Sequence, residues 1–180
     1  MIYKKAQIGG AFIVEPELIY DDRGYFTRIF SYESAFKKMS FKIVQVNHSF
    51  TLKMGTIRGL HFQKKPFEEA KIVQCLKGKI YDVVLDLRTS SPTFGHWIAE
   101  VLSEKNKKML YVPPGLAQGF QTLTNNCLVQ YFMSQFYSPI NSGGIKWNDP
   151  SFKVSWPIDN PRLSEKDKSW PPFKIGRQLC

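Results

Sequence analysis

Apolar side chains recur in short runs along the whole 180-residue chain, and most of these runs have the length of a β-strand. Some alternate with polar residues at every second position, as in FKIVQVNHSF at 41–50, whereas KIYDVVLDL at 79–87 is almost continuously apolar. Val, Ile, Phe and Tyr dominate the runs, and turn-forming residues bound many of them. Both the period of two and these residue types are typical of β-strands.

Helical patterns are rare in this chain. The segment SYESAFKKM at 31–39 predicts one helix, and LSEKDKSW at 163–170 predicts a further helical turn. Two short sequences, LKGK at 76–79 and LTNN at 123–126, predict hairpins between the runs that flank them. Many short strands with turns between them predict an all-β jelly roll with short peripheral helices. No repeat or linker divides the chain, so we expect residues 1–180 to form a single domain.

Composition and charge narrow the possible partners. The hydrophobic fraction of 43% is typical of a globular protein, and the formal net charge of +10 favours anionic partners such as nucleic acids, acidic lipids and phosphorylated small molecules. The lysines are dispersed along the chain rather than clustered on one element. This dispersal indicates a solvated surface, so we expect no nucleic-acid partner.

Cysteine usage and hydropathy predict the compartment. Cys75, Cys127 and Cys180 have no short spacing and are odd in number, which argues against a disulfide framework or a zinc knuckle and favours a reducing environment. The chain begins without the apolar stretch of a signal peptide, and no apolar run approaches the length of a membrane span. We therefore expect a cytoplasmic protein with no membrane partner.

His61, in the sequence RGLHFQ at 58–63, is the most informative of the three histidines. It is a candidate metal ligand, a candidate proton-transfer base, or an ordinary half-buried side chain. Cupin metal sites use two histidines one residue apart and a later histidine after a Pro-x-Gly turn, but here the first pair is absent and Gln118 occupies the later position. An amide is a poor ligand for divalent transition metals, and His48 and His96 are isolated. The sequence therefore predicts no metal site.

Nine motifs through nearly the whole chain are similar, in sequence and in order, to those of one enzyme family. They are DDRGYF at 21–26, QVNHS at 45–49, RGLHFQ at 58–63, KIVQCLKGKIYDVVLDLR at 71–88, SPTFGHW at 91–97, LSEKNKKMLYVPPGLAQGF at 102–120, QYFMSQFYSP at 130–139, GIKWNDPSF at 144–152 and LSEKD at 163–167. The chain thus resembles the dTDP-4-dehydrorhamnose 3,5-epimerase family of cupin-like, metal-independent isomerases. The resemblance implies a cupin-like double-stranded β-helix, a nucleotide-diphosphate sugar as substrate, no cofactor, and a homodimer.

The resemblance also implies a mechanism and the residues that perform it. The substrate is a nucleotide-linked 6-deoxyhexose with a ketone at C4, so the hydrogens at C3 and C5 both lie next to the carbonyl carbon. By motif position, His61 removes such a hydrogen as a base, and Asp167 orients its imidazole. Tyr131 is the acid that delivers a proton to the opposite face, and Lys71 stabilises the enolate oxygen.

Nine further residues are implied to contact the substrate: Arg23, Arg28, Gln45, Asn47, Arg58, Gln118, Tyr137, Ser142 and Lys166. The guanidinium groups of Arg23 and Arg58 suit phosphate oxygens in geometry and in charge. Tyr137 matches the residue that stacks on the nucleotide base, and Gln45 and Asn47 match nucleotide contacts.

Four positions depart from the family pattern. Gln118 replaces a histidine that contacts substrate, Val46 and Arg28 replace acids, and Ser142 stands where many members have glutamate. These changes are either neutral or alter the substrate, so that the nucleotide is CDP or GDP, the sugar differs, or one centre alone is inverted. A ketoisomerase and a non-catalytic sugar-nucleotide-binding module are the alternative functions. The retained His61 and the other predicted catalytic residues favour an enzyme.

Overall fold

The computed structural model describes residues 1–33 and 35–174, and β-strands make up most of its regular structure. The strands are β1 (Ile2–Lys5), β2 (Phe12–Glu15), β3 (Ile19–Asp21), β4 (Gly24–Phe26), β5 (Gln45–Thr51), β6 (Ile57–Gln63), β7 (Lys71–Lys77), β8 (Lys79–Asp86), β9 (Trp97–Ser103), β10 (Met109–Val112), β11 (Leu116–Thr122), β12 (Cys127–Met133) and β13 (Ser142–Gly144). Two short α-helices, α1 (Ala35–Lys38) and α2 (Glu165–Lys168), and a 3-10 helix (Pro139–Asn141) accompany them. Helix α1 covers the later part of the predicted 31–39 segment, and α2 lies in the predicted 163–170 segment.

Two antiparallel sheets face each other across the centre of the molecule. One has six strands in the order β1-β2-β10-β7-β12-β5, and the other has five in the order β13-β6-β11-β8-β9. Strands β3 and β4 form a separate hairpin. This arrangement confirms the predicted all-β, cupin-like fold with short peripheral helices.

Three apolar clusters hold these layers together. The central cluster lies between the two sheets and includes Val73 of β7, Val84 of β8 and Phe120 of β11. A second cluster, around Leu60 and Phe152, covers the outer face of the five-stranded sheet. The third covers the outer face of the six-stranded sheet and is rich in aromatic side chains, among them Phe36, Phe41 and Tyr111. Both sheets are therefore buried on two faces over much of their area, which explains the nearly continuous apolar runs in the sequence.

The hairpins predicted at 76–79 and 123–126 are wrong. Strands β7 and β8 belong to different sheets, and so do β11 and β12, because the chain crosses from one sheet to the other at both places. The two crossings hydrogen-bond to each other: Leu123 N donates to the Lys79 carbonyl, and Lys79 N donates to Thr124 Oγ1. These bonds satisfy the polar backbone of the turns in place of a hairpin ladder.

Polar side chains interrupt the inward-facing rows of the strands. Because side chains alternate between the two faces of a strand, Ile80 and Val84 of β8 both point into the central cluster, and Asp82 between them points the same way. Gln118 of β11 lies between the inward-facing Leu116 and Phe120 in the same manner. The alternation thus places a group of polar side chains between the sheets.

Strands β6 and β11 approach each other very closely at Gly119. A Cβ at this position would lie 2.7 Å from the Arg58 carbonyl oxygen and 3.0 Å from the Gly59 Cα atom. The register of the two strands also shifts between Gln118 and Phe120. Glycine is therefore required at position 119 because the backbone of β6 occupies the space that a side chain would need.

We expect Gly119→Ala to lower the free energy of unfolding by about 1–3 kcal/mol, since it forces a methyl group against the backbone of the neighbouring strand. Urea denaturation followed by tryptophan fluorescence measures this change. Gly9→Ala is the matched control, because a Cβ at Gly9 would meet nothing within 4 Å. An equal effect of the two substitutions would contradict the steric explanation.

Candidate active site

A cavity of about 410 Å³ opens between the two sheets where the inward-facing side chains are polar. Its lining comes from β5, β6, β7, β11, β12 and β13, from the segments that follow β6 and β12, and from helix α2. The lining residues are Gln45, Asn47, Arg58, His61, Phe62, Gln63, Glu69, Lys71, Gln118, Tyr131, Met133, Gln135, Tyr137, Ser142 and Lys166.

Most of the residues predicted from the sequence meet at this cavity. Among the predicted catalytic residues, His61, Lys71 and Tyr131 line it, and Asp167 contacts His61. The predicted substrate contacts that line it are Gln45, Asn47, Arg58, Gln118, Tyr137, Ser142 and Lys166. Their positions in sequence are widely separated, and the pairing of the strands brings them together.

His61 and Asp167 form a close polar contact at the cavity wall. His61 Nε2 lies 2.6 Å from Asp167 Oδ1, and the His61 side chain is 40% exposed whereas that of Asp167 is 5% exposed. An ionised carboxylate can only accept a hydrogen bond, so Nε2 is a nitrogen that carries a hydrogen, and in the neutral imidazole Nδ1 is the one with the free lone pair. The pair therefore fixes one tautomer of a partly exposed imidazole.

Helix α2 holds Asp167 in place. The Ser164 hydroxyl caps the helix by accepting a hydrogen bond from Asp167 N at 3.1 Å. Burial of the Asp167 carboxyl opposes its ionisation, but hydrogen bonds from His61 and from the Ser164 hydroxyl outweigh it and hold the pKa of Asp167 below its usual value. Asp167 is therefore ionised near neutral pH.

Trp170 packs behind this pair and was not expected from the sequence. Its ring meets the His61 ring edge-on, with 6.4 Å between the ring centroids, and the Lys166 ammonium lies 5.6 Å from the Trp170 centroid. A Cβ at Gly144 would lie 2.1 Å from the indole, so Trp170 rests directly on the backbone of β13. Trp170 thereby limits the positions that the imidazole can occupy.

Lys71 lies on the cavity wall as half of a buried ion pair. Its Nζ is 2.8 Å from Glu69 Oε1, and the two side chains are only 6% and 5% exposed. The other carboxylate oxygen of Glu69 accepts a hydrogen bond from Gln63 N at 3.1 Å. Glu69 is not identifiable from the sequence, because its contact with Lys71 depends on how the segment between β6 and β7 folds.

Asp82 lies beneath the cavity and is completely buried. The Gln118 side-chain amide donates to Asp82 Oδ1, and Asp82 Oδ2 has no hydrogen-bond partner among the described residues. Burial raises the pKa of Asp82 to about 8, against the opposing effects of the Gln118 hydrogen bond and the positive charge of Lys71. The alternating pattern of β8 was the one available signal for this residue, since it places Asp82 among inward-facing apolar positions.

Tyr131 reaches the cavity from β12. Burial, together with the nearby carboxyl of Asp82, raises the pKa of the Tyr131 phenol, and the positive charge of Arg58 opposes this shift only in part. The phenol therefore keeps its proton throughout the physiological pH range. It can donate a proton or a hydrogen bond, but it is a poor candidate for a base.

The predicted nucleotide contacts lie towards β5. Arg58 is anchored by hydrogen bonds from Nε to Thr51 Oγ1 and from one terminal nitrogen to the Phe50 carbonyl. Gln45 Nε2 donates to Asn47 Oδ1 at 3.0 Å. These bonds hold a guanidinium and two amides at one side of the cavity, next to the exposed ring of Tyr137.

Two of the predicted substrate contacts do not line the cavity of their own chain. Arg23 lies in the β3–β4 hairpin, where its exposed guanidinium pairs with Asp21 at 2.6 Å. Arg28 lines a different depression, near the N-terminus. Val46, one of the departures from the family pattern, is half exposed and does not line the cavity, because its neighbours Gln45 and Asn47 take the two inward-facing positions.

The described residues contain no cluster of three or more His, Cys, Asp or Glu side chains that could hold a metal ion. They also contain no helix with the length and apolar composition needed to cross a membrane.

Known proteins are similar to this chain in sequence and in fold. The family profile described as dTDP-4-dehydrorhamnose 3,5-epimerase matches residues 5–174. The chain is 41% identical over 167 residues to the dTDP-4-dehydrorhamnose 3,5-epimerase of Shigella flexneri, with 91% of each chain covered. The crystal structure of dTDP-4-dehydrorhamnose 3,5-epimerase from Bacillus anthracis with TDP and PPi bound superposes with a TM-score of 0.91 at 39% identity, covering 96% of this chain and 99% of that one. The crystal structure of a 3'-monoepimerase from Streptomyces bikiniensis in complex with dTDP-quinovose superposes with a TM-score of 0.86 at 32% identity. The superposition covers 93% of this chain and 85% of that one.

The raised pKa of Asp82 predicts a specific dependence of stability on pH. Between about pH 4 and pH 8 the unfolded chain loses the Asp82 proton while the folded chain keeps it, so this residue lowers the stability of the fold progressively as pH rises through that window. We expect the stability difference between Asp82→Asn, which has no proton to lose, and the wild type to shift in favour of the variant by about 5 kcal/mol over this range.

Urea denaturation at a series of pH values between 4 and 9 measures the difference. Asp159→Asn, at an exposed position, is the matched control and should follow the wild-type profile. If the profiles of wild type and Asp82→Asn stay parallel, the Asp82 pKa is not raised.

Proposed function

Because the chain belongs to the dTDP-4-dehydrorhamnose 3,5-epimerase family, we propose that it inverts C3 and C5 of a dTDP-linked 4-keto-6-deoxyhexose in deoxysugar biosynthesis. Family membership confirms the predicted family and the predicted enzyme class, an isomerase of the epimerase type. The observation that carries the proposal is the His61–Asp167 hydrogen bond on the wall of a cavity that Lys71 and Tyr131 also line.

His61 is the proposed base. With Nε2 committed to Asp167, Nδ1 is the nitrogen that accepts the proton from the sugar carbon. Removal of this proton leaves the electron pair of the C–H bond delocalised onto the ketone oxygen as an enolate. The ionised Asp167 carboxylate stabilises the imidazolium that forms and keeps the ring in its tautomer and orientation.

Lys71 is the proposed partner of the enolate oxygen. Its ammonium group is buried at the cavity wall, where the exclusion of water strengthens its attraction for a developing negative charge. Glu69 balances the positive charge of Lys71 before the substrate binds. The ion pair therefore keeps a charged side chain inside a largely apolar core.

Tyr131 is the proposed acid. It donates its phenolic proton to the face of the sugar ring opposite His61, and the enolate electron pair forms the new C–H bond with inverted configuration. After inversion His61 carries an extra proton and Tyr131 has lost one, so exchange with solvent must restore both before the next turnover. The raised pKa of Tyr131 ensures that the phenol is protonated when the substrate arrives.

Arg58, Gln45, Asn47 and Tyr137 are the proposed contacts of the nucleotide diphosphate, together with Lys166. The fixed guanidinium of Arg58 suits a phosphate oxygen, and the exposed Tyr137 ring offers a stacking surface for the base. A related crystal structure with TDP bound supports a thymidine nucleotide over the CDP and GDP alternatives.

Inversion at a single centre is the second candidate activity. The similarity to a 3'-monoepimerase, at 32% identity, favours it specifically, because the same fold in that protein serves one centre. The two activities are distinguished by the carbons that exchange hydrogen with solvent.

Deuterium exchange tests the proposal. We expect the protein in D2O to introduce deuterium at C3 and C5 of dTDP-4-keto-6-deoxyglucose, as followed by NMR. Removal of the base in His61→Ala should lower exchange at both carbons by about 10²–10⁴-fold. Tyr131→Phe should slow inversion more than exchange, since the base can still remove and return the proton on its own face.

His48→Ala is the matched control, because His48 lies on β5, is exposed, and contacts Gln130 rather than the cavity. Exchange at C3 alone would identify a monoepimerase. A wild-type protein that binds the nucleotide sugar but exchanges neither hydrogen would instead be a binding module, and full activity in His61→Ala would exclude His61 as the base.

We infer that the chain forms a homodimer through the β3–β4 hairpin. This short hairpin exposes large apolar side chains, with Ile19, Tyr20 and Phe26 each more than 60% exposed. Ile19 is paired with Phe26 and Tyr20 with Tyr25, so both faces of the hairpin expose large apolar side chains, as is typical of a segment that a protein partner covers. Arg23 lies in the same hairpin and does not line the cavity of its own chain, so its predicted contact with the phosphates requires a second copy.

Sedimentation equilibrium tests the homodimer. We expect the wild type to have twice the chain mass of 20.8 kDa, and the double substitution Tyr20→Glu and Phe26→Glu to have the mass of one chain, because it places charges in the apolar interface. Ile140→Glu is the control, since Ile140 is 93% exposed outside the hairpin. A wild-type monomer, or a dimer that survives the double substitution, would contradict this interface.

A further inference from the structure

Gln118 and His61 are direct neighbours across two strands. Gln118 of β11 is paired in register with His61 of β6, and both side chains line the cavity. Side chains of directly opposed residues on one face have their Cβ atoms about 5 Å apart. A sugar carbon positioned for proton transfer to His61 therefore lies within reach of the Gln118 amide.

Asp82 determines which end of the Gln118 amide faces the cavity. The amide nitrogen donates to Asp82 Oδ1 beneath the cavity floor. The Gln118 carbonyl oxygen then points away from Asp82, and none of the described residues donates a hydrogen bond to it. This oxygen is a pure acceptor, so it attracts a hydroxyl group and repels another oxygen that carries negative charge.

We propose that Gln118 is a specificity-determining residue whose carbonyl oxygen accepts a hydrogen bond from a hydroxyl group on the sugar carbon that His61 deprotonates or on the next carbon. The inference rests on the proposed function. For a 4-keto-6-deoxyhexose deprotonated at C3, the group recognised is the 3-hydroxyl. The site then favours hydroxylated sugars over the corresponding deoxysugars. Asp82 acts as a positioning residue, because it controls the orientation of the amide.

The orientation of the Gln118 amide also determines which residue can contact the enolate oxygen of the substrate. A carbonyl oxygen beside the enolate oxygen would raise the energy of the enolate, so the ketone must face Lys71 rather than Gln118. The hydroxyl contact and the enolate contact are thus made by different residues on facing sheets, since Gln118 lies on β11 and Lys71 on β7. One ligand orientation satisfies both contacts.

A comparison of two substrates measures the effect of this hydroxyl contact independently of the proton-transfer steps. The two substrates are dTDP-4-keto-6-deoxyglucose and its 3-deoxy analogue, and the readout is deuterium incorporation at C5, a centre that both sugars possess. We expect the wild type to prefer the hydroxylated sugar by about 5- to 150-fold in kcat/KM, the range for one hydrogen bond to a buried polar group. Gln118→Met, which has a similar shape and no amide, should slow the hydroxylated sugar alone and reduce the preference to near one.

Asp82→Leu is the second variant. Leucine has a similar size but offers no acceptor to the Gln118 amide nitrogen, so the amide is no longer held in one orientation, and we expect the preference to fall to an intermediate value. Gln130→Met is the control, because Gln130 contacts His48 and does not line the cavity, and it should keep the wild-type preference. Thermal unfolding of each variant establishes that it is folded.

A wild-type preference that survives in Gln118→Met overturns the inference and leaves the proposed function intact, provided that the wild type exchanges deuterium. A wild type that exchanges neither sugar overturns the proposed function instead. Calorimetric binding of the two unreacted nucleotide sugars then decides the role of Gln118 separately. The wild type must bind the hydroxylated sugar more tightly, and Gln118→Met must lose that difference; equal affinities in the wild type would overturn the inference.

Discussion

A polar side chain between two packed sheets is stable only if another group satisfies its hydrogen bonds or its charge, and this constraint organises the centre of the molecule. The strands place alternate side chains inward, so each polar residue in an inward row needs a partner from a neighbouring element. Lys71 forms an ion pair with Glu69, and His61 forms a hydrogen bond with Asp167. Gln118 has Asp82, which keeps its own proton at neutral pH as a consequence of burial. The partners that offset the cost of burying these polar side chains also fix their orientation. Proton transfer between defined atoms requires such fixed orientations.

Much of the fold and of the candidate site was predictable from the sequence, because strand periodicity and short motifs are local signals. The motif RGLHFQ locates His61, and LSEKD locates Asp167. The segments at 76–79 and 123–126 were wrongly predicted to be hairpins, since a turn sequence does not reveal whether the next strand stays in the same sheet. Glu69 was missed for a related reason: its contact with Lys71 exists only after the loop has folded.

The departures from the family pattern fall into two groups once they are located in space. Val46 and Arg28 lie outside the cavity of their own chain, so neither alters that cavity's walls. Gln118 and Ser142 line the cavity, where a change of side chain changes the groups that the sugar meets. The sequence alone gave the four positions equal weight, because the tertiary fold decides which face of β5 borders the cavity and where the N-terminal segment lies.

The crossing of the chain between the sheets at Gly78 has a consequence for how the protein acquires its shape. Because β7 and β8 are not partners, β7 is completed only by β10 and β12, which are synthesised much later. Contacts between residues far apart in sequence make folding slow, and they delay the assembly of any pocket that depends on them. A nascent chain that has not yet emerged as far as α2 has the imidazole but lacks the carboxylate that orients it. The catalytic arrangement can therefore form only after the chain has been synthesised through α2.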